Sequence, residues 1–252
     1  GRMLDNPQFY FAAIPALLIF GISKGGFGGG LGIVAVPLMA LVIPPAQAAA
    51  LLLPLLCLMD LIGIGRYRRD WDRHSLKCML PGAVVGIAIG SLAFGYLSEH
   101  VVRLLLGLVA VSFCANYFLR GGNRRAAQPP NAMAGAFWGM LAGITSTIAH
   151  AGGPPANMYL LPRKLDKTLF VGTMVVLFAA INACKIPPYI ALGLYDPAIL
   201  WACLALSPVA ALGMLLGIRL HGMVNELLFY RICYVLVLLT GLKLITDGLA
   251  GL

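Results

Sequence analysis

Long apolar runs constrain the fold of this chain more than any other feature of its sequence. A helix needs about 20 residues to cross the hydrocarbon core of a membrane. Runs of about that length occupy residues 46–65, 76–97, 101–119, 168–186, 197–220 and 227–249. Charged residues make up 11% of the chain, against about 25% in a typical soluble domain. The sequence therefore predicts an all-α polytopic protein embedded in a lipid bilayer.

Two other apolar regions are shorter and interrupted. Residues 8–21 and 29–43 flank the stretch "FGISKGGFGGGLG", and residues 132–149 and 154–161 flank "HAGGPP". Interrupted hydrophobic segments in matching positions of two halves are the sequence signature of a transporter's binding site. We therefore expect each region to form a broken-helix hairpin, and the two breaks to contribute to one site.

The two halves of the chain also align with each other. Residues 80–99 match residues 207–226 without gaps, and the identical pairs include Pro81 with Pro208, Gly86 with Gly213, and Gly90 with Gly217. Upstream, "GIS" at residue 21 meets "GIT" at residue 143, which places Lys24 opposite Ser146 and Asp60 opposite Asn182. The alignment predicts two membrane repeats, residues 3–125 and 126–252, each a broken-helix hairpin plus about three spanning helices. Gly1 and Arg2, before Met3, are set aside as a cloning remnant.

The placement of basic residues predicts an orientation. Lysine and arginine cluster in the loops 66–74, 120–125 and 163–167, whereas the connections 43–46, 97–100 and 191–196 contain neither. Basic short loops are retained in the cytoplasm. Basic and non-basic loops fall on opposite sides of the membrane only if each broken region enters and leaves on the same side of the membrane. Three full spans per half then make the second repeat inverted. The net charge of +9 is too localised for a nucleic-acid partner.

A lysine in the first break indicates the kind of ligand. A charge at mid-membrane costs about 2.5–3.5 kcal/mol and usually faces a cavity or a partner. Glycines allow close backbone approach, and free N–H groups at a helix start bind anions. The two breaks therefore predict a site near mid-membrane, at two half-helix N-termini, for a small mono- or dianion. Its candidate residues are Ser23, Lys24, Gly25, Gly26, Gly29, Gly30, Ser146, His150, Gly152, Gly153 and Pro154.

Several of these residues have a structural alternative. The break glycines, like Gly86, Gly90, Gly213 and Gly217, are of the type that permits close helix packing. The alternative for Lys24 is that its side chain extends to the membrane–water interface. Lys185 precedes two prolines, so it is expected to end a helix and extend to the interface in the same way. Asp60, with Asn182, is assigned a coupling or tuning role, and its alternative is an ion pair with the arginines of residues 66–69.

Two stretches carry a family resemblance. "GISKGGFGGGLGIVAVPLM" near the N-terminus, "AHAGGPPANMYLL" in the second half and the duplicated arrangement resemble the TauE/SafE family. The resemblance implies a permease of the exporter type for small sulfur-containing anions such as sulfite or sulfoacetate in the bacterial inner membrane. By the motif match it implies substrate contacts at Ser23, Lys24, Gly25, Gly26, His150, Gly152, Gly153, Pro154 and Asn157.

Two other functions remain alternatives at this point. Ser146, His150 and Asp60 are the residue types of an intramembrane hydrolase, although the sequence has neither a G-x-S-x-G elbow nor an H-E-x-x-H motif. A passive anion channel is the other. We expect no metal and no cofactor, because the six cysteines lie in apolar runs without a C-x-x-C pair. Outward anion movement gains about 2.3 kcal/mol per charge per 100 mV, so export requires no coupling ion.

Overall fold

The computed structural model describes residues 4–29, 32–39, 41–96, 98–119, 122 and 126–251. Within these ranges the elements are helical, and eight helices are long and apolar enough to cross a membrane. This confirms the predicted all-α polytopic membrane fold. The helices are α1 (Pro7–Gly26), α2 (Ala35–Met39), α3 (Pro45–Tyr67), α4 (Arg73–Leu92), α5 (Glu99–Leu119), α6 (Ala132–Ala149), α7 (Gly153–Leu160), α8 (Lys167–Ala191), α9 (Pro197–Met223) and α10 (Glu226–Ala250).

The first broken region differs from the prediction in where its helix ends. We expected an irregular backbone from residue 21, but α1 continues to Gly26, so Lys24 lies in its last turn. A Cβ atom on Gly26 would overlap the carbonyl of Gly217 in α9. The helix therefore continues because glycine there allows two helices to approach closely, and the break begins at Phe27.

Each broken region consists of one long helix and one short return. The end of α1 lies beside the end of α3, since the Tyr67 hydroxyl donates to the Gly25 carbonyl at 2.7 Å. The chain from residue 27 must therefore cross back, through the five residues of α2, to reach the start of α3. In the second region, the amide of Asn131 before α6 donates to the hydroxyl of Tyr159 near the end of α7, at 3.2 Å. Both regions leave on the side where they entered, as the loop charges predicted.

Contacts between helix ends define two faces of the protein. On the basic face, the carboxylate of Asp72 before α4 pairs with Arg163 at 2.7 Å. The backbone amide of Asp72 donates a hydrogen bond to the hydroxyl of Thr173 in α8 at 2.8 Å. On the opposite face, the Tyr189 hydroxyl of α8 donates to the Thr147 carbonyl of α6 at 2.7 Å. Consequently α3 ends where α8 begins, and α1 ends at the face where α6 starts. These directions are the ones that an inverted repeat requires, and the repeat itself, with its boundary at residue 125, stays a prediction.

The two halves are interlocked, because helices of the first half pack against helices of the second half. α1 packs along α9, α6 packs along α4, and α5 packs against α10, while α3 and α8 contact each other. Glycines line the two crossed contacts, where a Cβ atom would meet the backbone of the facing helix. This confirms the packing role expected for Gly86, Gly90, Gly213 and Gly217. The arrangement places α3, α8 and both breaks between the halves.

Candidate functional site

A buried cavity lies between the two broken regions. The volume open to the centres of water molecules in this cavity is about 30 Å³, which exceeds the ~10–15 Å³ that one water needs. Both breaks contribute to the lining, together with α3 and α8. The lining residues are Phe20, Lys24, Gly28, Gly29, Leu56, Ser146, His150, Gly153, Met174, Val175, Phe178 and Asn182.

The first cation of the cavity is Lys24, and it has a carboxylate partner. Its Nζ lies 2.6 Å from Oδ1 of Asp60, with both side chains buried. The other oxygen of Asp60 accepts a hydrogen bond from Nδ2 of Asn182 at 2.8 Å. The ammonium also lies 5.6 Å from the centre of the Phe178 ring, within cation–π distance. The alternative pairing of Asp60 with the arginines of residues 66–69 is wrong, because Lys24 reaches it from the facing helix.

The second cation is Lys185, which the sequence interpretation placed at an interface. That expectation is wrong: Lys185 is 0% exposed and lies inside α8, which continues through both prolines to Ala191. Its Nζ contacts the Ser146 carbonyl at 3.0 Å, the Ser146 hydroxyl at 2.9 Å and Nδ1 of His150 at 2.6 Å. The lysine therefore ends in a cluster of neutral acceptors contributed by the second broken region.

His150 occupies an unusual backbone position. It caps the C-terminus of α6 in the left-handed region, with φ 51°, where non-glycine residues are uncommon and often functional. This conformation aims the ring between two partners, because Nε2 lies 2.8 Å from the Ala49 carbonyl of α3 while Nδ1 faces Lys185. The break thus connects both halves through one imidazole.

The two breaks turn by different means. In the first, Gly28 and Gly29 have φ +75° and +79°, and the amides of Phe27 and Gly29 both donate to the Ser23 carbonyl at 2.9 Å. In the second, α7 starts at Gly153 with prolines in its first positions. Proline has no N–H, so that helix start offers fewer donors than a typical one. α2, with five residues, is too short to supply the second half-helix terminus that we expected.

The remaining predicted residues surround the cavity without lining it, as far as the described residues show. Gly25 and Gly26 pack against α9, and a Cβ atom on Gly152 would lie 2.7 Å from the Phe178 ring. Ser23, Pro154 and Asn157 are buried. Asn157 donates to the Gly153 carbonyl at 2.9 Å. Gly30 lies outside the described residues.

Sequence reasoning missed Lys185 although a signal was present. Lys185 follows Asn182 by three residues in α8, and residues three apart lie on one face of a helix. Since the repeat had already singled out Asn182, the same face should have included the lysine. The aromatic lining residues Phe20 and Phe178 carry no comparable signal in helices that are apolar on all sides.

The charges of the cavity do not cancel within the described residues. Lys24 and Asp60 form a balanced pair, whereas Lys185 and His150 contact neutral groups. A buried charge is costly unless it is paired. With Lys185 protonated, the cavity together with the Lys185–His150 contact beside it carries one positive charge in excess, which favours an anion as its occupant.

These features define a class of protein. Helical hairpins that meet between two interlocked halves, around a buried charged cavity, are the architecture of a secondary transporter. The sequence matches the family model described as "Sulfite exporter TauE/SafE" over residues 13–244, and the chain belongs to that family. No curated protein and no solved structure matches the chain.

Family membership decides between two of the functions considered. TauE/SafE is a family of membrane transporters of the sulfite-exporter type, so the intramembrane enzyme is wrong. The geometry also contradicts a Ser-His-Asp arrangement. Asp60 bonds to Lys24 and Asn182, and the imidazole of His150 bonds to Ala49 and Lys185.

Proposed function

We propose that the protein exports small sulfur-containing anions, such as sulfite or sulfoacetate, across the bacterial inner membrane, and that the anion binds in the central cavity. One observation carries the proposal: residues of both breaks, Gly29 and Gly153, line a single buried cavity together with Lys24 and His150. In an inverted-repeat transporter the site lies where the repeats meet.

The proposed contacts follow from the charges and donors at the cavity. Lys24 and Lys185 provide the positive field, and the start of α7 adds the favourable end of a helix dipole. Asp60 and Asn182 are assigned the tuning role, because they hold the Lys24 ammonium in place without facing the cavity with a free negative charge. The excess of one positive charge suits a monoanion best.

Flux into liposomes tests the proposal directly. Purified protein is reconstituted, and the uptake of labelled sulfite, sulfoacetate and sulfate is measured over a range of concentrations. We expect saturable uptake of sulfite or sulfoacetate. Uptake that rises linearly with concentration supports the passive-channel alternative, and no anion flux above that of empty liposomes contradicts the proposal.

A matched pair of variants locates the site. Gly29 has φ +79° and open space around a Cβ atom, so Gly29→Asn places a side chain at the cavity with a residue that tolerates positive φ. Gly193 has φ +69° and equally open surroundings but lies between α8 and α9. We expect Gly29→Asn to reduce flux about tenfold, a loss of about 1.4 kcal/mol, and Gly193→Asn to leave it unchanged. Equal flux in both variants would place the site elsewhere.

The orientation is tested separately. We propose that the basic face is cytoplasmic. In a variant without cysteines, single cysteines at Arg69 and Lys164 should react with an impermeant reagent only after the cells are opened, whereas a cysteine at Leu192 should react in intact cells. Rapid labelling of Arg69 or Lys164 positions in intact cells contradicts this orientation.

A further inference from the structure

We propose that Lys185 and His150 together form a proton-binding site, and that one proton binds with each anion, so that transport is linked to protons. The inference rests on the proposed anion site and adds a second ligand to it. It comes from the contacts of the pair, from the absence of a matching carboxylate among the described residues, and from a pocket on the opposite face whose lining includes Ala49, the hydrogen-bond partner of His150.

The hydrogen bonds of His150 fix one of its protons. The Ala49 carbonyl, 2.8 Å from Nε2, only accepts hydrogen bonds, so Nε2 carries a hydrogen. The contact of 2.6 Å between Nδ1 and Nζ of Lys185 then requires a proton between the two nitrogens. Either the lysine donates to a neutral imidazole, or an imidazolium donates to a neutral amine. In both of these arrangements the pair has one proton more than a neutral imidazole and a neutral amine together, and it therefore carries one positive charge.

The same atoms also satisfy a neutral pair. As an ammonium, Lys185 donates three hydrogen bonds, to the Ser146 carbonyl, the Ser146 hydroxyl and Nδ1 of His150. As an amine, it donates to the carbonyl and to Nδ1, and the Ser146 hydroxyl turns to donate to the amine. Only hydrogen atoms move between these states. The cluster therefore accepts and releases a proton without a change in packing.

The surroundings make the charged state depend on an anion. Lys24 of α1 and Asp60 of α3 neutralise each other at 2.6 Å. Cys57 of α3 lies near Lys185, and the Tyr189 hydroxyl of α8 is engaged with the Thr147 carbonyl. No carboxylate in the described part of the chain remains to balance the pair. An anion in the cavity supplies that balance, so anion and proton each favour binding of the other.

A second pocket comes as close to the pair as Ala49, and we place the route of the proton there. The pocket lies at the start of α3, and the volume in it that is open to the centres of water molecules is about 170 Å³. Its lining includes Ala49, whose carbonyl accepts the hydrogen bond from His150, and Ile148 of α6. His150 also lines the central cavity, so the Lys185–His150 pair is linked to that cavity through His150 and to this pocket through Ala49.

The test measures protons taken up on anion binding. Methanesulfonate is used because its own charge does not change near neutral pH. Its binding to purified protein is followed by calorimetry at one pH in two buffers of different ionisation enthalpy. We expect the heats to differ by the uptake of up to about one proton per anion, and the affinity to fall up to tenfold per pH unit as pH rises. Binding with equal heats in both buffers and no pH dependence overturns the inference while leaving the anion site intact.

Variants assign the proton to the pair. Lys185→Met should bind methanesulfonate more weakly and without proton uptake, and Lys77→Met, at an exposed position in α4, should behave as wild type. Unchanged proton uptake in Lys185→Met assigns the proton elsewhere and overturns the inference. If Lys185→Met does not fold, the wild-type measurement still decides the proton uptake. Absence of any binding of sulfite and methanesulfonate to wild-type protein contradicts the proposed function instead.

Discussion

Each half of the protein places a buried lysine at or beside the central cavity, and the two halves do so in different ways. In the first half, Lys24 extends from α1 and is paired with Asp60 of α3 at 2.6 Å. In the second half, Ser146 occupies the position that aligns with Lys24, and the charge comes instead from Lys185 of α8, which contacts Ser146 at 2.9 Å. The first half is neutral at the site, whereas the second half carries the surplus charge whenever the Lys185–His150 pair is protonated.

The comparison shows how a duplicated backbone can hold an asymmetric site. With the offset that pairs Lys24 with Ser146, Lys185 lies opposite Gly63 of α3. A Cβ atom on Gly63 would lie 2.7 Å from both Met214 and Val175, so a lysine does not fit at that position of the first half. Each half therefore contributes one lysine to the site, and the neighbours of the aligned positions decide which helix supplies it.

The largest expected effect concerns the balanced pair. Lys24→Met leaves the Asp60 carboxylate buried without its counter-charge, and breaking a buried pair costs about 3–5 kcal/mol. We expect a loss of that size in the free energy of unfolding in detergent, and recovery of most of it in Lys24→Met/Asp60→Asn. If the single variant is as stable as the double variant, the Lys24–Asp60 pair does not form in the protein.

The next effect concerns the location of the surplus charge. Removing a hydrogen-bonding charged partner costs roughly 1.5–3 kcal/mol, or about ten- to a hundredfold in affinity. We expect Lys185→Met to weaken stabilisation by sulfite by that factor, because the cavity loses its net charge. Lys24→Met/Asp60→Asn keeps the net charge and should bind sulfite more tightly than Lys185→Met. The reverse order of affinities would assign the anion to Lys24.

The two crossed helix contacts provide a smaller, purely steric comparison. Gly86 and Gly213 are counterparts in the proposed repeat, but a Cβ atom on Gly86 would overlap the Met140 carbonyl, while one on Gly213 would lie 3.0 Å from the Leu17 carbonyl. Overpacking typically costs 1–3 kcal/mol. We expect Gly86→Ala to lower the thermal stability clearly, by about that amount, and Gly213→Ala to lower it less. Equal losses would mean that the two contacts are equally close.

The smallest effect is a pH dependence at two matching helix starts. Asp72 caps α4 and Asp196 caps α9, but Asp72 also pairs with Arg163 at 2.7 Å. Partial burial raises the pKa of Asp72, but hydrogen bonds from Ser75 and the charge of Arg163 outweigh it, so the pKa is lowered from its model-compound value of 3.8.

Because the folded state has the lower pKa, this contribution is present at neutral pH and is lost as pH falls below about 4. Asp72→Asn keeps a capping side chain and should cost about 1 kcal/mol at pH 7, with the difference from wild type shrinking as pH falls. Asp196→Asn should change stability less at every pH. Thermal unfolding between pH 7 and pH 3 measures both, and a constant difference for Asp72→Asn contradicts the assignment.

The sequence by itself determined the membrane architecture. In a bilayer each spanning segment must satisfy its own backbone hydrogen bonds, so hydropathy and length located α3, α4, α5, α8, α9 and α10 without knowledge of any contact. The glycine-rich and proline-rich interruptions located both breaks for the same reason. The sequence also identified Lys24, His150 and Ser146 as residues near one cavity, because a charge or an irregular backbone at this depth needs a polar environment.

Only the tertiary structure decided the partners and the inward-facing sides of the helices. The spanning helices are apolar on most sides, so periodicity does not mark which face turns inward. From the sequence, Asp60 had two possible roles, tuning of the site or an ion pair with an arginine of residues 66–69. The sequence also placed Lys185 at the membrane interface. Packing of α3 against α8 buried Lys185, and packing of α1 against α9 extended the first helix through Gly26. Those contacts join residues more than a hundred positions apart, and the distances between such residues are set by the fold as a whole.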